Sequence, residues 1–272
     1  MTSGLCTIQS ALIAIYISRT KEHSDEIKRL ANRKLILEHF ITLIEKGIGD
    51  IETETHNYRE FCEELKKEGL GKLALQTTPF FLLERATDEI SGELFNAITE
   101  NKSDEDKQTY IEIIKCIHNA LFLKKLSEDQ YFRFIKDFNI QADKLLVANK
   151  NFNVYYKDLM EFQVYTGFHD RLIEVKSEFN KSSANDISTN SDYGLKKYEV
   201  LVDNLRILLK DINYPEGSEI FNSLVSLIEE YYIPVNKMKE INQNTEGHFQ
   251  SIIEKMADIA ENLKENLEII RR

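Results

Sequence analysis

Few residues in this 272-residue sequence have the types and spacing that could support metal or acid–base chemistry. His56 and Glu60 are four residues apart and Glu63 follows after another turn, so on a helix the three would share one face. An imidazole and two carboxylates could ligate zinc, but neither an HExxH nor an ExxH motif surrounds them. We therefore expect a solvated polar helix face here rather than a metal site.

Two other histidines and one acidic pair are further candidates for a functional site. His118 lies beside an apolar seam, a row of apolar residues at helical spacing, and is expected to be a hydrogen-bonded imidazole at the edge of the core. His169 and Asp170 stand where a helix begins, and Asp170 is expected there as a first-turn acid that complements the helix dipole. Glu229 and Glu230 precede two tyrosines and could form an acidic contact surface, although an ordinary exposed face is the favoured interpretation.

The remaining reactive groups do not form a recognisable motif. Cys6, Cys62 and Cys116 are odd in number and far apart, which argues against a disulfide framework and favours buried thiols in a reducing compartment. No Walker A sequence, GxGxxG after a strand or GxSxG elbow is present. The sequence therefore predicts no catalytic, cofactor-binding or metal-binding residue and no small-molecule ligand, and an enzyme with an unrecognised helical site stays an alternative.

Composition indicates the elements that carry these residues. Only 10 Gly and 3 Pro occur, too few for the many turns of a sandwich, barrel or doubly wound sheet. Abundant Leu, Glu and Lys favour helices. We predict an all-α fold, an elongated multi-helix bundle. The 46 acidic and 35 basic side chains give a formal net charge of −11, which disfavours general nucleic-acid binding.

The opening helix raises the question of a membrane. Residues 2–18 carry no charged side chain, whereas basic residues follow immediately at Arg19, Lys21, Lys28, Arg29, Arg33 and Lys34. A helix over this run would be about 25 Å long, short of a hydrocarbon core of about 30 Å. The one-sided basic flank would keep the body in the cytoplasm. Residues 1–18 are thus predicted to be a transmembrane segment of the cytoplasmic membrane, or else a buried helix of a cytoplasmic soluble bundle or an interfacial helix.

The rest of the chain divides by composition and periodicity. A helical body is expected over 19–179, a flexible linker over the Ser- and Asn-rich residues 180–194, and a helical hairpin or coiled-coil-like part over 195–272. Within these parts, helix ends are expected at Gly47 and Gly49, and a single helix is expected from Thr78 and Pro79 to near Thr99. A new helix is expected at a Ser127–Gln130 capping box, with a break or bend at Asn149–Asn153 and another at Pro234.

Two functions of different kinds follow from these patterns. The leading hypothesis is a single-pass membrane-anchored helical protein that acts as a sensor, scaffold or membrane-linked effector, binding a protein partner or itself through amphipathic helices. The alternative is a soluble all-helical interaction module with the opening helix in its core. Neither hypothesis requires catalysis.

Overall fold

The described residues are helical almost throughout, and no β-strand occurs among them. The computed structural model describes residues 2–67, 74–88, 92–99, 104–162, 167–185, 194–211 and 218–271, with the backbone alone at 2–17, 93, 96–98, 105–106, 182–185 and 194. These residues form seven α-helices: α1 (Thr2–Lys66), α2 (Phe81–Asp88), α3 (Gly92–Thr99), α4 (Asp104–Glu161), α5 (Phe168–Asn185), α6 (Gly194–Asp211) and α7 (Glu219–Arg271). The all-α, multi-helix bundle predicted from composition is confirmed.

Three helices are unusually long: α1 has 65 residues, α4 has 58 and α7 has 53. Each carries an apolar seam with steps of three and four residues, as Ile41, Ile44, Ile48 and Ile51 do in α1. Burying these side chains stabilises a helix far more than intrinsic propensity does. The three seams therefore account for helices of this length.

The chain divides into two units, and α1, α4 and α7 contribute residues to both. The first unit comprises Met1–Thr53, Thr78–Phe122 and Met256–Arg272. Its core includes Phe40, whose ring centroid lies 6.3 Å from that of Tyr110, and Leu83, which is fully buried. On its surface Lys264 Nζ donates to Glu52 Oε1 at 2.5 Å, and Arg271 pairs with Glu45.

The second unit comprises Glu54–Thr77 and Leu123–Lys255. Aromatic rings fill its core: Phe61 meets Phe249 with centroids 5.0 Å apart and Phe134 at 5.7 Å. Toward α5 and α6, the ring centroid of Tyr231 lies 5.7 Å from that of Tyr198 and 6.1 Å from that of Phe179. This unit contains every residue of the groove described below.

No helix ends at four of the positions where a helix end or a break was expected, whereas a bend at Asn149–Asn153 or at Pro234 stays a prediction. α1 passes through Gly47 and Gly49, α4 passes through Ser127 and through Asn149–Asn153, and α7 passes through Pro234. Each glycine costs a helix about 1 kcal/mol relative to alanine, less than one buried isoleucine contributes. The apolar seams on either side of each position therefore outweigh the local preference for a helix end.

Two further predicted boundaries fall partly outside the described residues. The helix expected from Thr78 to near Thr99 is described as α2 and α3, and residues 89–91 between them lie outside the described residues. The predicted linker 180–194 begins within a helix, because α5 continues to Asn185; residues 186–193 lie outside the described part. Gly167 precedes α5 with a φ of 106°, a conformation that favours glycine.

Candidate interaction surfaces

The amino-terminal arm of α1, which we define as Ser18–Asn32, exposes every one of its side chains. Ile27 and Leu30 are each 54% exposed, although the same apolar stripe is buried further along at Ile41 and Ile44. A stripe that is covered at one end of a helix and bare at the other is typical of a surface that binds something outside the chain.

Local contacts add little to the stability of this arm. Ser18 Oγ donates to Glu22 Oε1 at 3.4 Å, and Arg29 pairs with Glu26 at 3.9 Å, both between exposed side chains of the same helix. Such pairs contribute a few tenths of a kcal/mol each. Helices without a buried face are marginal in water, so this arm would gain stability from a partner.

A second surface is an open groove between α4 and α7, with a volume of about 630 Å³. Helical spacing creates its walls, since residues three, four or seven apart lie on one face. The α4 wall comprises Asp143, Lys144, Val147, Ala148, Asn151 and Tyr155, and the α7 wall comprises Ser226, Glu229, Glu230, Ile233 and Pro234.

Polar side chains join the two walls. Asn151 Nδ2 donates to both carboxylate oxygens of Glu230, at 3.3 and 3.1 Å, and Tyr155 OH donates to Glu230 Oε1 at 3.3 Å. Burial and this carboxylate together raise the pKa of Tyr155, which keeps the phenol protonated as a donor. Glu230 is thereby fixed by two neutral donors.

A deeper pair of hydrogen bonds supports the same junction. Asn149 Nδ2 donates to Tyr198 OH at 3.2 Å, and Tyr231 OH donates to Asn149 Oδ1 at 2.9 Å. Burial raises the pKa of Tyr231 far above its usual range, so its hydroxyl stays neutral. The asparagines that suggested a break in the sequence therefore link α4 to α6 and α7.

Exposed apolar side chains flank the groove. Val147 is 53% exposed on the α4 wall and Ile233 is 51% exposed on the α7 wall. Ile140 and Val154 lie seven residues to either side of Val147 and are also exposed, so the three form one row along α4. Exposed apolar residues grouped along a groove are characteristic of binding surfaces.

Comparison with protein-family models, with curated proteins and with solved structures finds no match to this chain.

No helix among the described residues is both long and apolar enough to span a bilayer. The side chains of residues 2–17, on which the transmembrane prediction depends, lie outside the described residues.

The structure places the first predicted polar cluster on the surface. His56 Nε2 lies 3.3 Å from Glu60 Oε1, and both side chains are exposed. Glu63 accepts a hydrogen bond from Lys66 Nζ at 2.8 Å. The expected solvated face is confirmed. Within the described part of the chain, no three or more His, Cys, Asp or Glu side chains are arranged to hold a metal ion.

The other histidines have different outcomes. His118 is exposed, so the expectation of an imidazole at the core edge is wrong; its helix turns this position away from the buried Ile117 and Ala120. Asp170 is confirmed as an acid in the first turn of α5. His169 is half-buried against Phe168, with ring centroids 5.8 Å apart.

The acidic–tyrosine stretch is only partly an exposed face. Glu229 and Tyr232 are exposed, but Glu230 is half-buried and Tyr231 is fully buried. The expectation of an ordinary exposed face is wrong for Glu230, because it falls on the side of α7 that faces α4. Nothing in the sequence paired Glu230 with Asn151 and Tyr155, which lie more than seventy residues earlier.

Two of the three cysteines are buried free thiols, as expected, namely Cys62 and Cys116. Burial, with a further contribution from the Glu246 carboxylate, raises the pKa of Cys62 to about 11, so this thiol is protonated and unreactive at neutral pH. The side chain of Cys6 lies outside the described residues.

Proposed function

We propose that this chain is a helical interaction protein that attaches to its partner through the amino-terminal end of α1. The observation that carries this proposal is the exposure of every side chain from Ser18 to Asn32, including Ile27 and Leu30, in a helix whose stripe is buried from Phe40 onward. An arm with a bare apolar stripe is an attachment surface that the other described residues leave uncovered.

The uncharged residues 2–18 favour a membrane as the first form of this attachment. Their one-sided basic flank supports an orientation with the body in the cytoplasm. In this form the protein is a membrane-anchored sensor, scaffold or effector. In the alternative form the arm packs against a protein, including a second copy of this chain, through its apolar stripe.

Fractionation of cells that produce the full chain tests the attachment. The membrane form predicts that the protein sediments with membranes, resists high salt and is released by detergent. The protein-bound form predicts a soluble complex whose mass, measured by light scattering, exceeds that of one 31.7 kDa chain.

Deleting residues 1–32 supplies the matched comparison, because it removes the arm together with the uncharged residues before it. Because the arm has no buried face of its own, the remainder should fold cooperatively and become a monodisperse monomer that no longer sediments with membranes. Circular dichroism and urea unfolding measure its folding. A full chain that is monomeric and soluble without detergent, or a deletion that abolishes cooperative unfolding, would contradict the proposal.

A further inference from the structure

We propose that the groove between α4 and α7 binds an amphipathic helix of a partner protein, one that carries basic side chains beside its apolar face. The groove belongs to a different part of the chain from the arm of α1. The proposal therefore goes beyond the function proposed above and does not rest on it.

The dimensions of the groove suit a helix. The α4 wall of the groove, from Asp143 to Tyr155, extends about 18 Å at about 1.5 Å per residue, the length of roughly three helical turns. Val147 and Ile233 offer apolar contacts on opposite walls, with the buried Ala148 beside Val147. A helix satisfies its own backbone hydrogen bonds, so it can dock on side chains alone.

The charges of the groove select a basic partner. Asp143, Glu229 and Glu230 line it, against the single ammonium of Lys144, whose Nζ donates to Gln141 Oε1 at 3.2 Å. Asp143 and Glu229 form no ion pair with any described residue. Glu230 accepts hydrogen bonds from the neutral side chains of Asn151 and Tyr155. Three carboxylates against one ammonium give the groove a net negative charge, which attracts Lys or Arg side chains.

Pro234 adds an acceptor to the same wall. It lies inside α7 and lines the groove. Because proline has no N–H, the backbone carbonyl of Glu230, four residues earlier, lacks its usual helical donor. A lysine or arginine of the partner could donate to this carbonyl and to the nearby carboxylates together.

Fluorescence anisotropy with the full-length protein tests the proposal. The probe is a labelled amphipathic helical peptide of about 18 residues built from Leu and Lys, long enough to span the α4 wall of the groove. Its comparison peptide has Glu in place of Lys. We expect the Lys peptide to bind at physiological salt, the Glu peptide not to bind, and high salt to weaken binding.

Two variants locate the binding in the groove. Val147→Glu should weaken binding of the Lys peptide by about tenfold or more, the effect of losing a central apolar contact. Ile207→Glu on α6 is the matched control, since Ile207 is 52% exposed and does not line the groove. An added carboxylate would strengthen a purely electrostatic attraction, so a loss of affinity in the first variant alone identifies apolar docking. Circular dichroism confirms that both variants fold.

A charge exchange completes the test. Glu229→Lys should weaken binding of the Lys peptide and allow the Glu peptide to bind. Equal binding of the Lys peptide to the wild type and to Val147→Glu would overturn the proposal, as would no binding at all. So would a dimer of the free protein that Val147→Glu dissociates, because the occupant would then be a second copy of this chain.

Discussion

Packing around Gly47 leaves no room for a side chain at this position. A Cβ built at Gly47 would lie 2.4 Å from Leu83 Cδ2, and Leu83 is fully buried, whereas a Cβ at Gly49 meets nothing within 4 Å. The two glycines are two residues apart in the same helix. Their substitution by alanine therefore separates a packing effect from helix propensity.

We predict opposite signs for the two substitutions. Gly47→Ala should lower the free energy of unfolding by about 1–3 kcal/mol, the usual cost of overpacking, despite the better propensity of alanine. Gly49→Ala should raise it by about 0.5–1 kcal/mol. Urea denaturation of both variants measures the difference. A stabilising Gly47→Ala would show that Leu83 can move away.

Lys124 and Glu54 form a buried ion pair in the second unit. Lys124 Nζ donates to Glu54 Oε1 at 2.5 Å and lies 3.4 Å from Glu128 Oε1, while the Glu54 side chain is fully buried. Ser127 Oγ donates to the Lys124 carbonyl at 2.6 Å and is hydrogen-bonded to Tyr58 OH. Ser127 is therefore part of a buried polar cluster inside α4 rather than a helix cap.

Removing one partner of this pair should be costly. We predict that Lys124→Met lowers the free energy of unfolding by about 3–5 kcal/mol, because the buried Glu54 carboxylate loses the ammonium that lies beside it. Adding Glu54→Leu should recover much of that loss. Lys237→Met, which breaks an exposed pair with Glu240, is the control and should cost less than about 1 kcal/mol. Equal effects of the two lysine substitutions in urea unfolding would contradict this prediction.

At the scale of the helices, α7 carries a polar residue in its apolar seam. Asn242 is buried, and neither its Nδ2 nor its Oδ1 has a hydrogen-bond partner within the described part of the chain. A buried amide without partners costs about 1–3 kcal/mol of desolvation. Polar residues at such seam positions can fix the register of packed helices at the expense of stability.

We predict that Asn242→Leu raises the free energy of unfolding, because it removes the desolvation cost and adds apolar burial. Asn244→Leu alters an exposed position of the same helix and should change stability by no more than about 0.5 kcal/mol. Thermal and urea unfolding give both values. A loss of stability in Asn242→Leu would mean that its site is too small for leucine.

The helices also show why element ends were hard to predict. A helix terminus is favoured locally by the residue types at Gly47, Gly49, Ser127 and Pro234. Each of these residues nevertheless lies within a longer helix. A local signal is worth about 1 kcal/mol for glycine and about 3 kcal/mol for proline. Buried isoleucines and leucines on both sides contribute more in total.

At the scale of the whole molecule, the net charge of −11 makes a prediction about partners. Binding to nucleic acid requires basic groups that displace counterions from phosphates, and this chain has an excess of carboxylates. We predict no measurable binding to duplex DNA at physiological salt at protein concentrations up to about 100 µM, the weak end of ordinary non-specific binding. Anisotropy with a labelled duplex measures this, and saturable binding would reveal a basic patch that the overall charge conceals.

The amino-acid sequence by itself determined the helical class, the apolar seams, the solvated face of His56 and Glu60, and the uncharged start before Arg19. These features depend on composition and on spacing within a few turns, which are local properties. Tertiary structure alone decided that α1, α4 and α7 pass through their glycines, asparagines and proline, and that Glu230 turns inward. Those outcomes depend on partners such as Asn151 and Leu83, far away in sequence, whose packing outweighs the local preferences.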